Sequence, residues 1–226
     1  MFLPVGRQER RSKVTLHRFD ITERIAVSTG ISGIYNKSVT KKLFFECFVV
    51  VIEDRWKLIK ETANQLLNES GITEPPVDIE TLATQQGAQM TSAPNSDDVS
   101  GFILRAPGSA AVIGVNSSHP PVRQRFTIAH ELGHLLLHAK TELHVDRLVV
   151  KMWDRRVREG TDDDEIEANR FAAEILMPEE FLRADLEDLG LVTADDDHAI
   201  SRLAKRYKVS KQAMTIRLTS LGLIWM

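Results

Sequence analysis

The sequence predicts an α+β domain, and three observations carry that expectation. A helical apolar stripe over residues 56–67 comes first. Three short β-prone runs follow between residues 88 and 115, set apart by Pro, Asn, Ser and Gly. Helical patterns then fill the chain to its end, and a cluster of strands followed by a run of helices is the α+β order. The 226 residues allow about one and a half domains at about 150 residues each. With 42% apolar and 27% charged residues the composition is that of a soluble globular protein, not a disordered one.

Residues 1–50 mix basic and β-prone fragments (KVTLHRF, RIAVSTG) without a sustained period, and are expected to be a poorly ordered extension or the product of a misassigned start near Val49 to Val51. Retention of Met1 in mass spectrometry of the native protein would exclude the second version. Trp56, Ile59, Ala63, Leu66 and Leu67 share one helical stripe. Pro75-Pro76 ends that region, and Val77–Gln86 reads as a short helix with Asp78 near its start. Ala88–Thr91, Gly101–Arg105 and Ala110–Val115 read as strands. Pro120-Pro121 opens a long amphipathic helix over Val122–His138, a short helix is expected at His144–Trp153, and another over Asp163–Met177 stops at Pro178. Helices over Glu179–Leu189, Ala199–Tyr207 and Lys211–Leu221 complete the chain, with Ser210 a natural N-cap for the last. The expected division is an extension over 1–50, a main domain over 51–193 and a helix-turn-helix-like segment over 194–226.

Several classes are excluded or disfavoured early. One cysteine, Cys47, makes no internal disulfide and no site of several thiolates. The longest apolar run, Leu43–Ile52, is interrupted by Glu46 and falls far short of the roughly 20 residues a spanning helix needs. The N-terminus turns charged before a secretory signal can develop, so a cytoplasmic protein is expected. The net charge of −3 hides a division: residues 1–50 carry nine Lys/Arg against four acids, leaving the rest at −8. Within that rest, fourteen acids over 162–197 give way to six bases and no acid over 201–226, a sign change that suggests surfaces with different partners.

The chemistry centres on His130-Glu131-Leu132-Gly133-His134. Residues four apart on a helix lie about 40° apart in azimuth and about 6 Å along the axis, so His130 and His134 can aim two imidazoles at one zinc ion. Glu131 stands beside such an ion rather than on it, where a carboxylate can take the proton of a water whose pKa the metal has lowered. With seven His and seventeen Glu, a shuffled chain would show H-E-x-x-H about once in sixty trials, so context matters. The context is a helix that Phe126, Ile128, Leu132, Leu135 and Leu136 can bury, and a buried, rigid helix suits metal geometry.

His138 continues the row, but at about 12 Å along the axis from His130 it cannot share one ion with both histidines; it is expected beside the ligands or as a helix-end cation. A third ligand must come from elsewhere, and DDDEIEANRFAAEILMP is the best source. Glu165 and Asn169 share one helix face, with Asn169 able to orient a ligand imidazole, while Glu167 points about 200° away from Glu165. Paired with the histidines, Glu165 is the expected third ligand and Glu167 the lesser alternative, although the acidic run standing alone would suit the first turn of any helix.

RQRFTIAHELGHLLLH followed some thirty residues later by EIEANRFAAEILMP resembles the ImmA/IrrE family of bacterial metallopeptidases, and the strand-like VIGVN ahead of the helix fits the same pattern. The likeness covers about Trp56 to Pro178. It implies a zincin-like domain with His130, His134 and Glu165 as zinc ligands and Glu131 as catalytic base. It also implies a helix-turn-helix repressor as substrate, whose cleavage derepresses mobile-element, toxin–antitoxin or stress genes. Residues 198–224 resemble the helical unit that related peptidases carry. A role in docking the repressor or in packing is favoured over DNA binding through the six bases. The other reading is a non-catalytic regulator that binds DNA or a repressor through these helices. Beyond the metal, His144, His198, Tyr207, Arg123 and Arg125 are the available donors to the developing oxyanion. The substrate is expected to add as a strand along a sheet edge near 101–115.

Overall fold

The computed structural model describes residues 37–138, 143–147, 162–189 and 192–224. Its contacts divide the chain into residues 1–49 and residues 50–226. In the first unit, the described residues are the opening turns of helix α1 (Lys37–Glu69); the β-prone fragments read before them lie outside the described residues. The second unit holds everything that follows.

From Trp56 onward α1 buries the stripe read from the sequence, with Ile59, Ala63, Leu66 and Leu67 all in the core. Helix α2 (Ile79–Gln85) begins one residue after Asp78, whose carboxylate accepts the Thr81 amide at 3.2 Å and the Thr81 hydroxyl at 2.8 Å. The first of these bonds satisfies a backbone donor that the helix start leaves orphaned, and the second holds the carboxylate over it. The Thr81 hydroxyl, then its amide, hold the Asp78 carboxyl below the usual carboxylate range. A lowered folded pKa means the cap stabilises above the unfolded pKa, about 4, and is lost as pH falls through the folded value. Asp78→Ala is therefore expected to lower stability by about 1 kcal/mol at neutral pH and by progressively less as pH falls below about 4, read by urea unfolding across that range.

Strands β1 (Ala88–Ala93), β2 (Val99–Leu104), β3 (Ala111–Asn116) and β4 (Leu143–Arg147) form one mixed sheet in the order β1-β3-β2-β4. β1 and β3 are parallel, with Met90 opposite Ile113; β2 is antiparallel to β3, with Ile103 opposite Ile113, and to β4, with Phe102 opposite Val145. Two expectations change here. His144 lies in β4 rather than in a helix: LHVDR alternates with a period of two, and pairing with β2 satisfies its backbone. Residues 148–153 of that expected helix lie outside the described residues. The sheet edge near 101–115 is also absent, because β2 and β3 each have a neighbour on both sides; β1 and β4 are the outer strands of the described sheet.

Helix α3 (Pro121–Leu137) starts with Pro at its first position, where the missing N–H loses nothing. It packs along α4 (Asp162–Leu176), which stops ahead of Pro178, and against β2 and β3. Ile103, Ile113, Ile128, Leu132, Phe171 and Ile175 meet between these layers, fully or almost fully buried. Helix α5 (Glu179–Leu189) is tied to α1 by Lys60, which donates to Glu179 at 2.7 Å. Helices α6 (Asp197–Tyr207) and α7 (Lys211–Ser220) are joined through Lys208, in the left-handed conformation at φ 52°, and Ser210, whose hydroxyl accepts the Ala213 amide at 3.0 Å as the sequence predicts. Met214, Arg217 and Leu218 turn inward from α7. The architecture is α+β, as the order of patterns predicts, and no helix among the described residues is long and apolar enough to cross a membrane.

Candidate metal centre

The site grows from a close crossing of α3 and α4. A Cβ added to Gly133 would stand 3.1 Å from the Cα of Ala168 and 3.2 Å from its carbonyl oxygen, so a glycine facing an alanine is what lets the two helices approach. One residue beyond Gly133 is His134, and three residues before Ala168 is Glu165. The crossing thus brings Glu165 Oε1 to 3.2 Å from His134 Nε2, and Glu165 Oε2 to 3.3 Å from His130 Nε2. The two Nε2 atoms are 3.0 Å apart. A tetrahedral ion with bonds of about 2.0–2.1 Å holds neighbouring ligand atoms about 3.3 Å apart, so these donors fit a divalent ion of that size. His130, Glu131 and His134 are all buried, as a site shielded from bulk water requires.

The rings are oriented from behind. Asn169 donates through Nδ2 to the Glu165 carbonyl at 2.6 Å, which fixes the amide and leaves Oδ1 facing His130 Nδ1 at 3.2 Å. His130 therefore carries its proton on Nδ1 and turns the lone pair of Nε2 into the site. The α3 helix ends at His138, whose backbone leaves the helical region at φ −123°. His138 Nδ1 lies 3.0 Å from His134 Nδ1, and His138 Nε2 lies 3.1 Å from Glu167 Oε2. Glu167 is buried, and burial pushes its carboxyl upward; hydrogen bonds from Arg55 and His138 outweigh this and hold it below the usual range.

Glu131 occupies the turn between the two histidines, against β2. A Cβ on Gly101 would lie 3.6 Å from Glu131 Oε1, 2.7 Å from the Gly114 carbonyl oxygen and 2.4 Å from Thr127 Cγ2. Thr127 can rotate, but the Gly114 carbonyl is backbone. Gly101→Ala is accordingly expected to destabilise the fold by about 1–3 kcal/mol and to displace Glu131. Urea unfolding reads the first effect; any catalytic loss should exceed what the unfolded fraction explains. Arg105, which the sequence reading passed over, donates to the His134 carbonyl at the end of α3, and the charge of Glu131 opposes the lowering of its pKa by burial. Lone arginines carry no spacing signal, so only the fold reveals it.

The expected oxyanion donors disperse. Tyr207 is wholly buried in the core, where burial and then the Asp185 carboxylate push its hydroxyl far upward, so it faces no substrate. Arg125 is spent on backbone, donating to the Val77 carbonyl at 2.9 Å and the Lys208 carbonyl at 3.2 Å. His198 is exposed on α6. Arg123 donates to the Ser100 hydroxyl at 3.0 Å and lines a cleft of about 450 Å³ between α3 and α7, with Phe126, Thr127, Ala213 and Ile216. His144 sits on β4 opposite Ile103.

Residues 76–219 match the peptidase family described as the IrrE N-terminal-like domain. Over 109 residues, 48% of this chain, the sequence is 38% identical to the radiation response metalloprotease IrrE of Deinococcus radiodurans, of which those residues span 30%. A Mycobacterium tuberculosis transcriptional regulator superposes with a TM-score of 0.49 at 20% identity, covering 71% of this chain and 46% of that one. The family match spans both the helix that carries the histidines and the helix that carries Glu165. On that match, the chain belongs to the ImmA/IrrE family, a family of metallopeptidases with a zincin-like domain.

Proposed function

We propose that this protein is a zinc endopeptidase in which His130, His134 and Glu165 hold the ion and Glu131 is the catalytic base. The carrying observation is the donor set: two imidazole nitrogens 3.0 Å apart with a carboxylate within 3.3 Å of both. A bound ion supplies Lewis acidity, which polarises the scissile carbonyl and makes water acidic enough to lose a proton near neutral pH. Glu131 accepts that proton and returns it to the leaving amine. His138 and Asn169 hold the two ligand rings in the tautomer that points a lone pair inward. Scaffolding alone has no use for a buried carboxylate between two ligands.

The substrate in this reading is a helix-turn-helix repressor, cut to derepress the genes it controls in the cytoplasm. Helix α7 supports partner docking over DNA binding. Of the bases in the last two helices, Arg217 is buried, Arg206 bonds Asp185 at 2.9 Å, and Lys211 bonds Asp197, which leaves α7 without a basic outer stripe. Its Ala213 and Ile216 instead line the cleft that reaches Ser100 and Thr127, beside Glu131. An extended peptide would add to the outer edge of β4, now that β2 and β3 are both paired. The test is co-expression with repressors encoded nearby: intact protein should yield cleaved repressor, Glu131→Gln should not, and equal derepression by both would establish the non-catalytic regulator instead.

A further inference from the structure

Helix α1 reaches the metal centre through a chain of side chains. Arg55 on α1 grips Glu167 with a hydrogen bond from Nη2 to Oε2 and an ion-pair contact between Nε and Oε1, each 2.5 Å. Glu167 Oε2 lies 3.1 Å from His138 Nε2, and His138 Nδ1 lies 3.0 Å from His134 Nδ1. The other ring nitrogen of His134 is the one facing Glu165 at 3.2 Å.

The direction of these bonds follows from chemistry. A carboxylate only accepts, and so does not leave His138 Nε2 as the acceptor; that nitrogen carries the proton and donates to Glu167. The Nδ1 of a neutral His138 is then a lone pair, and the 3.0 Å contact requires His134 Nδ1–H to donate to it. The lone pair of His134 is left on Nε2, the tautomer a metal needs. A carboxylate two groups away, with only His138 between, thus sets the tautomer of His134, and the guanidinium of Arg55 keeps that carboxylate in place.

We propose that Arg55 and Glu167 are positioning residues for the metal centre, acting through His138 on the orientation and tautomer of His134. The proposal rests on the metallopeptidase reading and extends it to a helix outside the family match, which begins at residue 76. His138, Asp164 and Glu167 also lie close enough to hold a second cation. The contacts argue otherwise, because both oxygens of Glu167 already face the Arg55 guanidinium.

The test is zinc affinity of the full chain, by competition with a chromogenic chelator, for the intact protein and for Glu167→Gln, Arg55→Ala and Arg55→Lys. Zinc content and thermal unfolding of the metal-free proteins are measured alongside. Glu167→Gln replaces the charged acceptor of the His138 bond with a neutral amide oxygen, and Arg55→Ala removes the group that holds the carboxylate in place, so each should weaken zinc binding about 10-fold. Arg55→Lys should restore part of the loss, since it returns the charge without the fork. Arg55 is more than half exposed, so its substitution should leave a folded protein. Affinities within twofold of the intact protein, whatever happens to thermal unfolding, would show the contact to be structural only and overturn the proposal. A second zinc ion, lost on Glu167→Gln, would overturn it as well, since His138 would then be a ligand. An intact protein that binds no zinc defeats the metallopeptidase reading along with it; one that binds zinc while the variants bind it equally well defeats the relay alone.

Discussion

Exchanging Glu131 for Gln is expected to slow peptide-bond cleavage by about 10²- to 10⁴-fold while bound zinc stays at one ion per chain. Gln keeps the size and hydrogen-bonding reach of the native side chain but cannot take a proton at neutral pH. In the proposed site the donor atoms belong to His130, His134 and Glu165, so the loss of the Glu131 carboxylate leaves the donor set whole. Glu165→Gln is the contrasting variant: it removes the anionic ligand, so metal content and activity should fall together. Measuring zinc content and cleavage rate on the same preparations separates the two roles. A Glu131→Gln protein that cleaves at the native rate with full metal would remove Glu131 from the mechanism.

Glu174→Gln should lower stability by about 3 kcal/mol, and Tm by about 6–12 °C. Arg217 reaches from α7 to Glu174 on α4, donating Nη1 to Oε1 at 3.0 Å and a second bond from Nη2 to Oε2, while its Nε donates to the Met177 carbonyl at 3.0 Å. Both side chains are all but fully buried. Removing the negative charge leaves the buried Arg217 guanidinium with neutral acceptors only, the Met177 carbonyl and the Gln amide oxygen, and takes the counter-charge from Arg170 as well; an uncompensated buried charge is among the largest penalties a point substitution imposes. Replacing both members with apolar groups, as in Glu174→Leu with Arg217→Met, should recover most of the loss. Urea unfolding of the single and double variants checks this, and a single variant within 0.5 kcal/mol (roughly the scale of a surface change) would show the pair to be energetically idle.

The pair also bears on how the last two helices work. Their bases, read along the chain, suggest a cationic surface; folded, Arg217 clamps α7 to α4, the helix that supplies Glu165. Charge in a sequence has sign and position but no direction, and direction is what distinguishes a DNA-facing stripe from a buried clamp.

Local pattern by itself was enough for much of this protein. Periodicity and turn residues specify α2 to α7, α1 from Trp56 onward and three of the strands, Ser210 and Asp78 announce their helix starts, and the spacing of His130 and His134 puts two imidazoles on one helix face. These depend on neighbours within a few residues, where backbone geometry is nearly invariant. Tertiary structure decided the rest. How closely the Glu165 carboxylate approaches the two imidazoles depends on where α4 crosses α3, which Gly133 and Ala168 set. The pairing of LHVDR as β4 required β2 beside it, and so moved the open sheet edge. Arg55, Arg105 and Arg217 have no motif around them, since each meets its partner across 29 to 112 residues of sequence. A long-range contact is fixed by the sum of packing over the whole core, and no short window of residues contains that sum.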